Sequence, residues 1–416
     1  MAAPSTPMAL EPIPRRGWGR KTSLFQPKQP AFWVYVAIVG VTAVYAWSEQ
    51  RLFTQLSPGG WALSWALLIV YALPLAIAIY LLDLYEREPI SLVVGAFVWG
   101  AVAATVLSAL ANDGWGLVVA RIGGPEFASR WTAALTAPFV EETMKASGVV
   151  LIYLIARDEM DDVMDGFVYG ALCGLGFAVV EDVFYFMGVF GGHPDGVLQG
   201  FFVRVVASGL YSHVLYSGLV GMGIGYFVSR RDRQPLARRV LVLAGLSAAA
   251  VLGHFLWNSP LLDLFPSRPW SGMDLLMIPV ATAVKGLPLL GFATLAVVLA
   301  RRRERRWLRG ALADEVGGPG ISADELGILS QPRRRRAAVA EMRTRAGSRA
   351  AGLLRRLQRE QVNLAMIRSK VAADDDPALL EQRAYCGSIR DALRAIPGAA
   401  PADAASAAAD AGPRDR

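Results

Sequence analysis

The sequence predicts an all-α, polytopic membrane protein, a bundle of about eight transmembrane helices with cytoplasmic N and C termini and a polar, partly helical C-terminal tail. Three observations lead to this prediction. Of the 416 residues, 54% are hydrophobic, and the mean hydropathy is +0.37. The apolar residues are gathered in long blocks. The Lys and Arg residues are concentrated in the segments that lie on one side of those blocks.

Each apolar block is long enough to cross a bilayer, because about 20 helical residues span the hydrocarbon core. In chain order, the blocks cover residues 31–48, 61–82, 89–111, 131–156, 163–190, 197–228, 237–257 and 276–300. The fifth and sixth blocks are longer than a span requires, so we expect them to tilt, to kink or to extend beyond the bilayer.

The basic residues predict the orientation, since Lys and Arg accumulate in cytoplasmic loops. They are frequent in residues 1–30, in the loop after the sixth block and in the "RRRERRWLRG" that follows the eighth block. Both termini are therefore placed in the cytoplasm. Together with an Ala- and Arg-rich composition, this favours a bacterial cytoplasmic membrane. The pI near 9.5 then reflects topology and anionic lipid headgroups rather than nucleic acid.

The chain divides into three predicted segments. Residues 1–30 form a basic, Pro-rich tail that we expect to be disordered, and residues 31–300 form the transmembrane domain. Residues 301–416 form a cytoplasmic basic tail that is partly helical and has a disordered end. Within this tail, "SADELGIL" predicts a helix start at Ser322 with Glu325 in a capping box. The tail rests on the membrane surface or is solvated, or alternatively binds a partner, and we assign it no chemistry.

Ionisable side chains inside the apolar blocks are the most informative residues, because each costs about 2.5–3.5 kcal/mol to insert and commonly marks a functional interior. At a rise of about 1.5 Å per residue, several of them share a depth in the outer half of the membrane. The sequence therefore predicts that one polar cluster contains Glu141, Glu181, His213 and His254. The other polar residues of the blocks are Glu142, Lys145, Asp182, Arg204, Asn258 and Lys285.

Each of these residues also has a purely structural alternative. Lys145 can pair with a glutamate on its own helix, and the spacing of four residues favours Glu141 over Glu142. His213 can form an interhelical hydrogen bond, and His254 with Asn258 can be a polar cap near the membrane interface. Arg204 and Lys285 are expected to be structural. Cys173 and Cys386 are predicted to be too far apart to form a disulfide.

A buried set of carboxylates, imidazoles and an amide indicates hydrolysis. A desolvated carboxyl can serve as a general base toward water, and His or Asn can donate to a developing oxyanion. No cofactor is expected, but a divalent metal held by Glu141, Glu181, His213 and His254 is an alternative that the sequence leaves open. Small residues at intervals of four predict close helix contacts, namely Gly166, Gly170 and Gly174 in the fifth block and Gly221 and Gly225 in the sixth.

The order of these motifs resembles the PrsW family of bacterial intramembrane proteases. "EETMK" at residues 141–145 is similar to the family's EExxK motif. "DGFVYGALCGLGFAVVEDVFY" at residues 165–185 is similar to its D-G-x-x-Y-G…G-x-G-F-x-x-x-E-N-x-x-Y segment. His213 and "HFLWN" at residues 254–258 match its two later histidine motifs. The family is related to the type II CAAX-processing endopeptidases, and the resemblance covers roughly residues 60–300.

The resemblance implies a glutamate-dependent endopeptidase that acts on membrane-bound substrates, such as an anti-sigma factor, in the outer half of the membrane. Glu141 and Glu142 match the glutamate pair, with Glu141 as the expected base, and Glu181 would position water. His213 matches the third motif, whereas His254 and Asn258 would form the oxyanion site. Tyr185 and Lys145 take supporting positions.

One departure from the family pattern concerns Asp182, which stands where the family has Asn. An ionised Asp cannot donate a hydrogen bond, so Asp182 must be protonated, be paired with a cation such as Arg204, or have another role.

Two other functions of the protein are considered as alternatives. These are a non-catalytic membrane scaffold or regulatory subunit, and a proton-coupled transporter, which the missing inverted repeat disfavours. The substrate and the oligomeric state are not fixed by the sequence.

Overall fold

The computed structural model describes residues 22–83, 85, 87–207, 213–262, 272–371 and 373–399. Of the N-terminal tail 1–30 and the C-terminal end that were predicted to be disordered, residues 1–21 and 400–416 lie outside these ranges, as does part of the sixth apolar block. Regular structure in the described ranges is helical, apart from a β-bridge between Val316 and Ile321. The predicted all-α class is confirmed.

The chain forms two compact units. Among the described residues, the membrane unit comprises residues 22–83, 87–207, 213–262 and 272–300. Within the same described part of the chain, the C-terminal unit comprises residues 85, 301–371 and 373–399. One helix contributes residues to both units.

The membrane unit is built from ten helices in the described ranges, and several of them begin at a proline, which is favoured in the first turn because its missing N–H has no partner there. They are α1 Pro30–Leu56, α2 Pro58–Tyr80, α3 Ile90–Val98, α4 Thr105–Gly123, α5 Pro125–Ile155, α6 Val163–Met187, α7 Pro194–Phe201, α8 His213–Ser229, α9 Leu236–Asn258 and α10 Gly272–Leu312. A π-helical segment, Trp99–Ala104, joins α3 to α4, and a second, Phe202–Val206, follows α7.

Every predicted apolar block lies on one or more of these helices. In the described residues, six helical segments are long and apolar enough to cross a membrane: α1, α2, Ile90–Gly123, α6, α9 and Ala283–Glu315. Of the remaining two blocks, the helix α5 contains several charged residues, and α8 is a shorter apolar helix. The polytopic helix bundle is therefore confirmed, while the count of eight spans remains a prediction.

Helix α6 forms the centre of the membrane unit and is buried along almost its whole length. Its start is fixed by a capping box, in which Asp162 accepts from the Val163 amide and Asp165 accepts from the Asp162 amide. Asp165, the first residue of the "DGFVYG" stretch, thus has a structural role at this helix terminus.

The glycines of α6 allow α8 to approach at backbone distance. A Cβ added at Gly166 would lie 2.1 Å from the carbonyl oxygen of Gly221, and one added at Gly170 would lie 2.1 Å from that of Ser217. A Cβ at Gly174 would lie 2.2 Å from the His213 carbonyl. The predicted close glycine contact is confirmed. Because it continues to His213, it determines where this histidine lies relative to α6.

The C-terminal unit contains α11 Ala323–Leu329, α12 Pro332–Arg368 and α13 Pro377–Arg394. The predicted capping box at Ser322 is confirmed, since the Glu325 amide donates to Ser322 Oγ at 3.2 Å and the Ser322 amide donates to Glu325 Oε2 at 2.9 Å. Burial raises the pKa of the Cys386 thiol to about 12, so this cysteine is an unreactive core residue. Both cysteines are free.

A buried ion pair holds α13 in the C-terminal unit. Arg383 binds Glu315 with two hydrogen bonds, Nε to Oε2 at 2.7 Å and Nη2 to Oε1 at 2.6 Å. The Glu315 side chain is 2% exposed, and Arg368 lies 3.6 Å away from it. Removal of Arg383 would leave the buried Glu315 carboxylate with only the more distant Arg368 as a cation.

Replacement of Gly170 by Val should force α6 and α8 apart, because the new side chain would occupy the space of the Ser217 carbonyl. We expect the free energy of unfolding to fall by about 1–3 kcal/mol, measured by thermal unfolding in detergent. Gly245→Ala on α9 is the control, since a Cβ there meets nothing within 4 Å. Equal unfolding temperatures for the two variants would contradict the close α6–α8 contact.

Replacement of Glu315 by Ala should destabilise α13 by about 1.5–3 kcal/mol, because the Arg383 guanidinium loses its two charge-assisted hydrogen bonds to Glu315. Hydrogen exchange of α13 in the full chain measures this effect. Asp391→Ala is the matched control, since its pair with Arg394 is 3.6 Å long and largely exposed, and it should cost less than about 1 kcal/mol. Similar exchange rates in both variants would show that the Glu315 pair does not hold α13.

Candidate active site

Helix α5 places three buried charged side chains on adjacent turns. Lys145 Nζ lies 2.6 Å from Glu142 Oε1 and 3.7 Å from Glu141 Oε2. The predicted preference of Lys145 for Glu141 is therefore wrong. A long lysine side chain reaches position i−3 as easily as i−4, and Glu141 is directed instead toward histidines from two other helices.

Glu141 lies between the two histidines. Its Oε2 atom is 3.7 Å from His213 Nδ1 and 3.8 Å from His254 Nε2, and this buried oxygen accepts no hydrogen bond. Its Oε1 atom accepts from Asn112 Nδ2 of α4 at 3.3 Å. The sequence missed Asn112, because the third apolar block ends at residue 111 and the residue was placed in a loop. The helix in fact continues to Gly123.

His213, at the start of α8, is held from both ring nitrogens. Its Nε2 lies 3.0 Å from Glu181 Oε2 of α6, and its Nδ1 lies 2.9 Å from Lys145 Nζ. An ionised carboxylate can only accept, so we assign the ring proton to Nε2. This tautomer leaves the Nδ1 lone pair directed into the cluster.

His254, on α9, also lies between two carboxylates, but here Nε2 rather than Nδ1 is the nitrogen that faces Glu141. Nε2 faces Glu141, while Nδ1 lies 3.3 Å from Glu142 Oε1. The ring stacks on Tyr216 at a centroid distance of 4.8 Å and an angle of 11°. Ser217 donates to Glu142 Oε2 at 2.9 Å, which holds this carboxylate beside His254. Each histidine thus presents one nitrogen to Glu141 and the other to a second carboxylate.

Arg204 supports the Glu181 carboxylate from the outside of the cluster. Its Nη2 atom donates to Glu181 Oε2 at 2.7 Å, and its Nε atom donates to Asp182 Oδ1 at 2.6 Å. The guanidinium lies over the Tyr185 ring, 3.6 Å from its centroid. Of the alternatives for Asp182, pairing with Arg204 is the one that the structure contains.

Asn258 does not join this cluster. Its Nδ2 atom donates to the Ala133 carbonyl of α5 at 3.4 Å. Ala133 precedes Glu141 by two helical turns, which is about 12 Å along the axis. The expected oxyanion role of Asn258 therefore has no geometric basis in this structure. Lys285 Nζ donates to the Trp257 carbonyl at 3.3 Å, in agreement with its expected structural role.

The donor set suits a divalent metal. The ligand atoms of Glu141, His213 and His254 lie within 4.8 Å of one another. Tetrahedral zinc with bonds of about 2.0–2.1 Å places neighbouring ligand atoms about 3.3 Å apart, so a small contraction would suffice. The buried Glu141 oxygen that accepts no hydrogen bond, together with a carboxylate behind each histidine, is the pattern of a metal centre. Glu181 belongs to the supporting carboxylates rather than to this triad.

The site lies within the part of the chain that resembles known proteins. Residues 88–284 match a family model described as "PrsW family intramembrane metalloprotease". A segment is 28% identical over 151 residues to Protease PrsW of Bacillus subtilis (strain 168), covering 36% of this chain and 61% of that protein. A similar segment is 31% identical over 150 residues to Protease PrsW of Geobacillus kaustophilus (strain HTA426), covering 35% and 58%.

The chain therefore spans about three fifths of the length of these curated relatives. No solved structure matches it.

Replacement of Arg204 by Met should leave Glu181 and Asp182 adjacent without a cation, and we expect a loss of about 3 kcal/mol in the free energy of unfolding. The double variant Arg204→Met with Asp182→Asn should recover part of this loss, because it removes one of the two repelling charges. Thermal unfolding in detergent measures both. A double variant no more stable than Arg204→Met alone would contradict a charge-based role for Arg204.

Proposed function

We propose that the chain is an intramembrane endopeptidase of the PrsW type, whose model matches residues 88–284, and that its active site is the cluster of Glu141, His213 and His254. The observation that carries the proposal is the arrangement of the two histidines, each of which faces Glu141 with one nitrogen and a supporting carboxylate with the other. A polar contact that only joins helices would not need two oriented imidazoles around Glu141 Oε2, an oxygen that accepts no hydrogen bond.

We further propose that the cluster holds a divalent metal ion through Glu141 Oε2, His213 Nδ1 and His254 Nε2. Such an ion, when bound, polarises the scissile carbonyl and lowers the pKa of water. The description of the matching family as metalloproteases supports this choice over a purely glutamate-activated water. Glu141 is the central residue in either case, because its buried Oε2 atom lies between the two histidines and accepts no hydrogen bond.

The other residues of the cluster position these three. Glu181 holds the proton of His213 on Nε2, and Arg204 fixes Glu181. Glu142 stands beside His254 Nδ1 and is itself fixed by Lys145 and Ser217. The burial of the cluster limits access of bulk water, which strengthens each of these electrostatic interactions.

The proposed substrates are membrane-bound proteins, such as single-span or lipid-modified proteins of the anti-sigma-factor type. The proposed place of cleavage is the outer half of the membrane, as the positions of the basic loops indicate. A substrate helix must locally unwind at such a site, because a peptide carbonyl within a helix is already hydrogen bonded.

Replacement of Glu141 by Gln should lower cleavage by roughly 1000-fold, because the cluster loses its central acceptor. The assay uses the purified full chain in liposomes together with an extracted fraction of single-span membrane proteins, and mass spectrometry counts the new N termini. His254→Gln should show a similar loss. Glu126→Gln, an exposed change on the same helix α5, is the control and should cleave as the native chain does.

Cleavage that persists in both Glu141→Gln and His254→Gln would overturn the proposed active site. No cleavage by the native chain, with normal function of Glu141→Gln in cells, would favour the scaffold. Cleavage that survives complete removal of metal, checked by elemental analysis of the same sample, would favour a water activated by Glu141 alone. Proton-dependent flux in the liposomes would favour the transporter.

A further inference from the structure

We infer that Lys145 is the internal cation of this cluster and competes with a divalent metal ion for the Nδ1 atom of His213. The inference rests on the proposed metal site and concerns what controls its occupancy. It assigns to Lys145 a positioning role that differs from a simple helix ion pair.

The contacts of Lys145 place its ammonium group at the centre of the cluster. Nζ lies 2.6 Å from Glu142 Oε1, 2.9 Å from His213 Nδ1 and 3.7 Å from Glu141 Oε2. It also lies 4.2 Å from the centroid of the Phe177 ring, and the side chain is fully buried. The ammonium thus contacts two of the three groups that would bind the metal.

The tautomer of His213 makes the two cations exclusive. Glu181 accepts the hydrogen on Nε2, so Nδ1 has a single lone pair in the plane of the ring. That lone pair can accept a hydrogen bond from Lys145 or bind a metal, but it cannot do both. A metal that binds Nδ1 must therefore displace Lys145 from His213.

Glu142 gives the displaced ammonium a place to remain. Its Oε1 atom is already the closest partner of Lys145, so the side chain can stay bound to Glu142 while it leaves His213. Repulsion between the ammonium and a dication nearby would persist in the buried site. Lys145 should consequently stabilise the metal-free cluster and weaken metal affinity. A purely structural lysine would have the opposite effect, because its loss would disorder the site.

The test is the affinity of the purified full chain for Co²⁺, measured by equilibrium dialysis and by the visible absorption of the bound ion. Lys145→Met should bind Co²⁺ about tenfold more tightly or better, since it frees the His213 lone pair and removes a repelling charge. Lys145→Arg retains the positive charge that repels the metal ion and should stay within about threefold of the native affinity. His254→Gln should lose binding.

Lys145→Met leaves two glutamates without their cation, so a second comparison guards against misfolding. The double variant Lys145→Met with Glu142→Gln should bind Co²⁺ more tightly than Glu142→Gln alone, because the freed Nδ1 atom is then the main difference. Size exclusion and thermal unfolding check that each variant is folded.

The outcomes separate this inference from the proposed function. If the native chain binds Co²⁺ and His254→Gln does not, the proposed metal site is supported. If Lys145→Met then binds no more tightly than the native chain, and the double variant no more tightly than Glu142→Gln, the inferred competition is wrong. Absence of Co²⁺ binding in the native chain and in both lysine variants would overturn the inference together with the metal site. Cleavage by a metal-free native chain would in that case still support the proposed endopeptidase activity, with a water activated by glutamate.

Discussion

The arrangement of the membrane unit depends on one constraint, which is that α5 carries three buried charged side chains on adjacent turns. Glu141, Glu142 and Lys145 are each at most 5% exposed, and a buried charge is tolerated only with partners. One lysine cannot satisfy two glutamates, so neighbouring helices must contribute. They do so with Asn112 from α4 and with His213, Ser217 and His254 from α8 and α9.

Backbone packing makes this convergence possible. The glycine contact between α6 and α8 extends to Gly174, where the His213 carbonyl lies, so Glu181 and His213 come from two helices that are locked at backbone distance. A Cβ at Gly174 would lie 2.2 Å from the His213 carbonyl oxygen, so a larger residue there would push α8 away and lengthen the 3.0 Å contact between His213 and Glu181. The glycines therefore set the distance between Glu181 and His213, although they contribute no functional group to the cluster.

The sequence predicted the helical class and the meeting of Glu141, Glu181, His213 and His254, because helical rise converts residue number into depth. It could not predict which carboxylate Lys145 would bind, since that choice depends on histidines from other helices. The sequence missed Asn112 because hydropathy shows where an apolar block ends but not where the helix ends, and α4 continues past the block to Gly123. Asn258 shares a helix face with His254, but one turn further along α9 its amide reaches Ala133 instead.

The charges of the cluster give a separate argument for a cation. With its carboxylates ionised and its histidines neutral, the cluster has four negative charges, from Glu141, Glu142, Glu181 and Asp182, and two positive charges, from Lys145 and Arg204. The formal excess of two negative charges is expensive in a buried site within a membrane. Two protons or one divalent cation would neutralise it. A divalent cation would bind the Glu141 oxygen that accepts no hydrogen bond and both facing histidines at once, and Lys145 would then have to release the lone pair of His213.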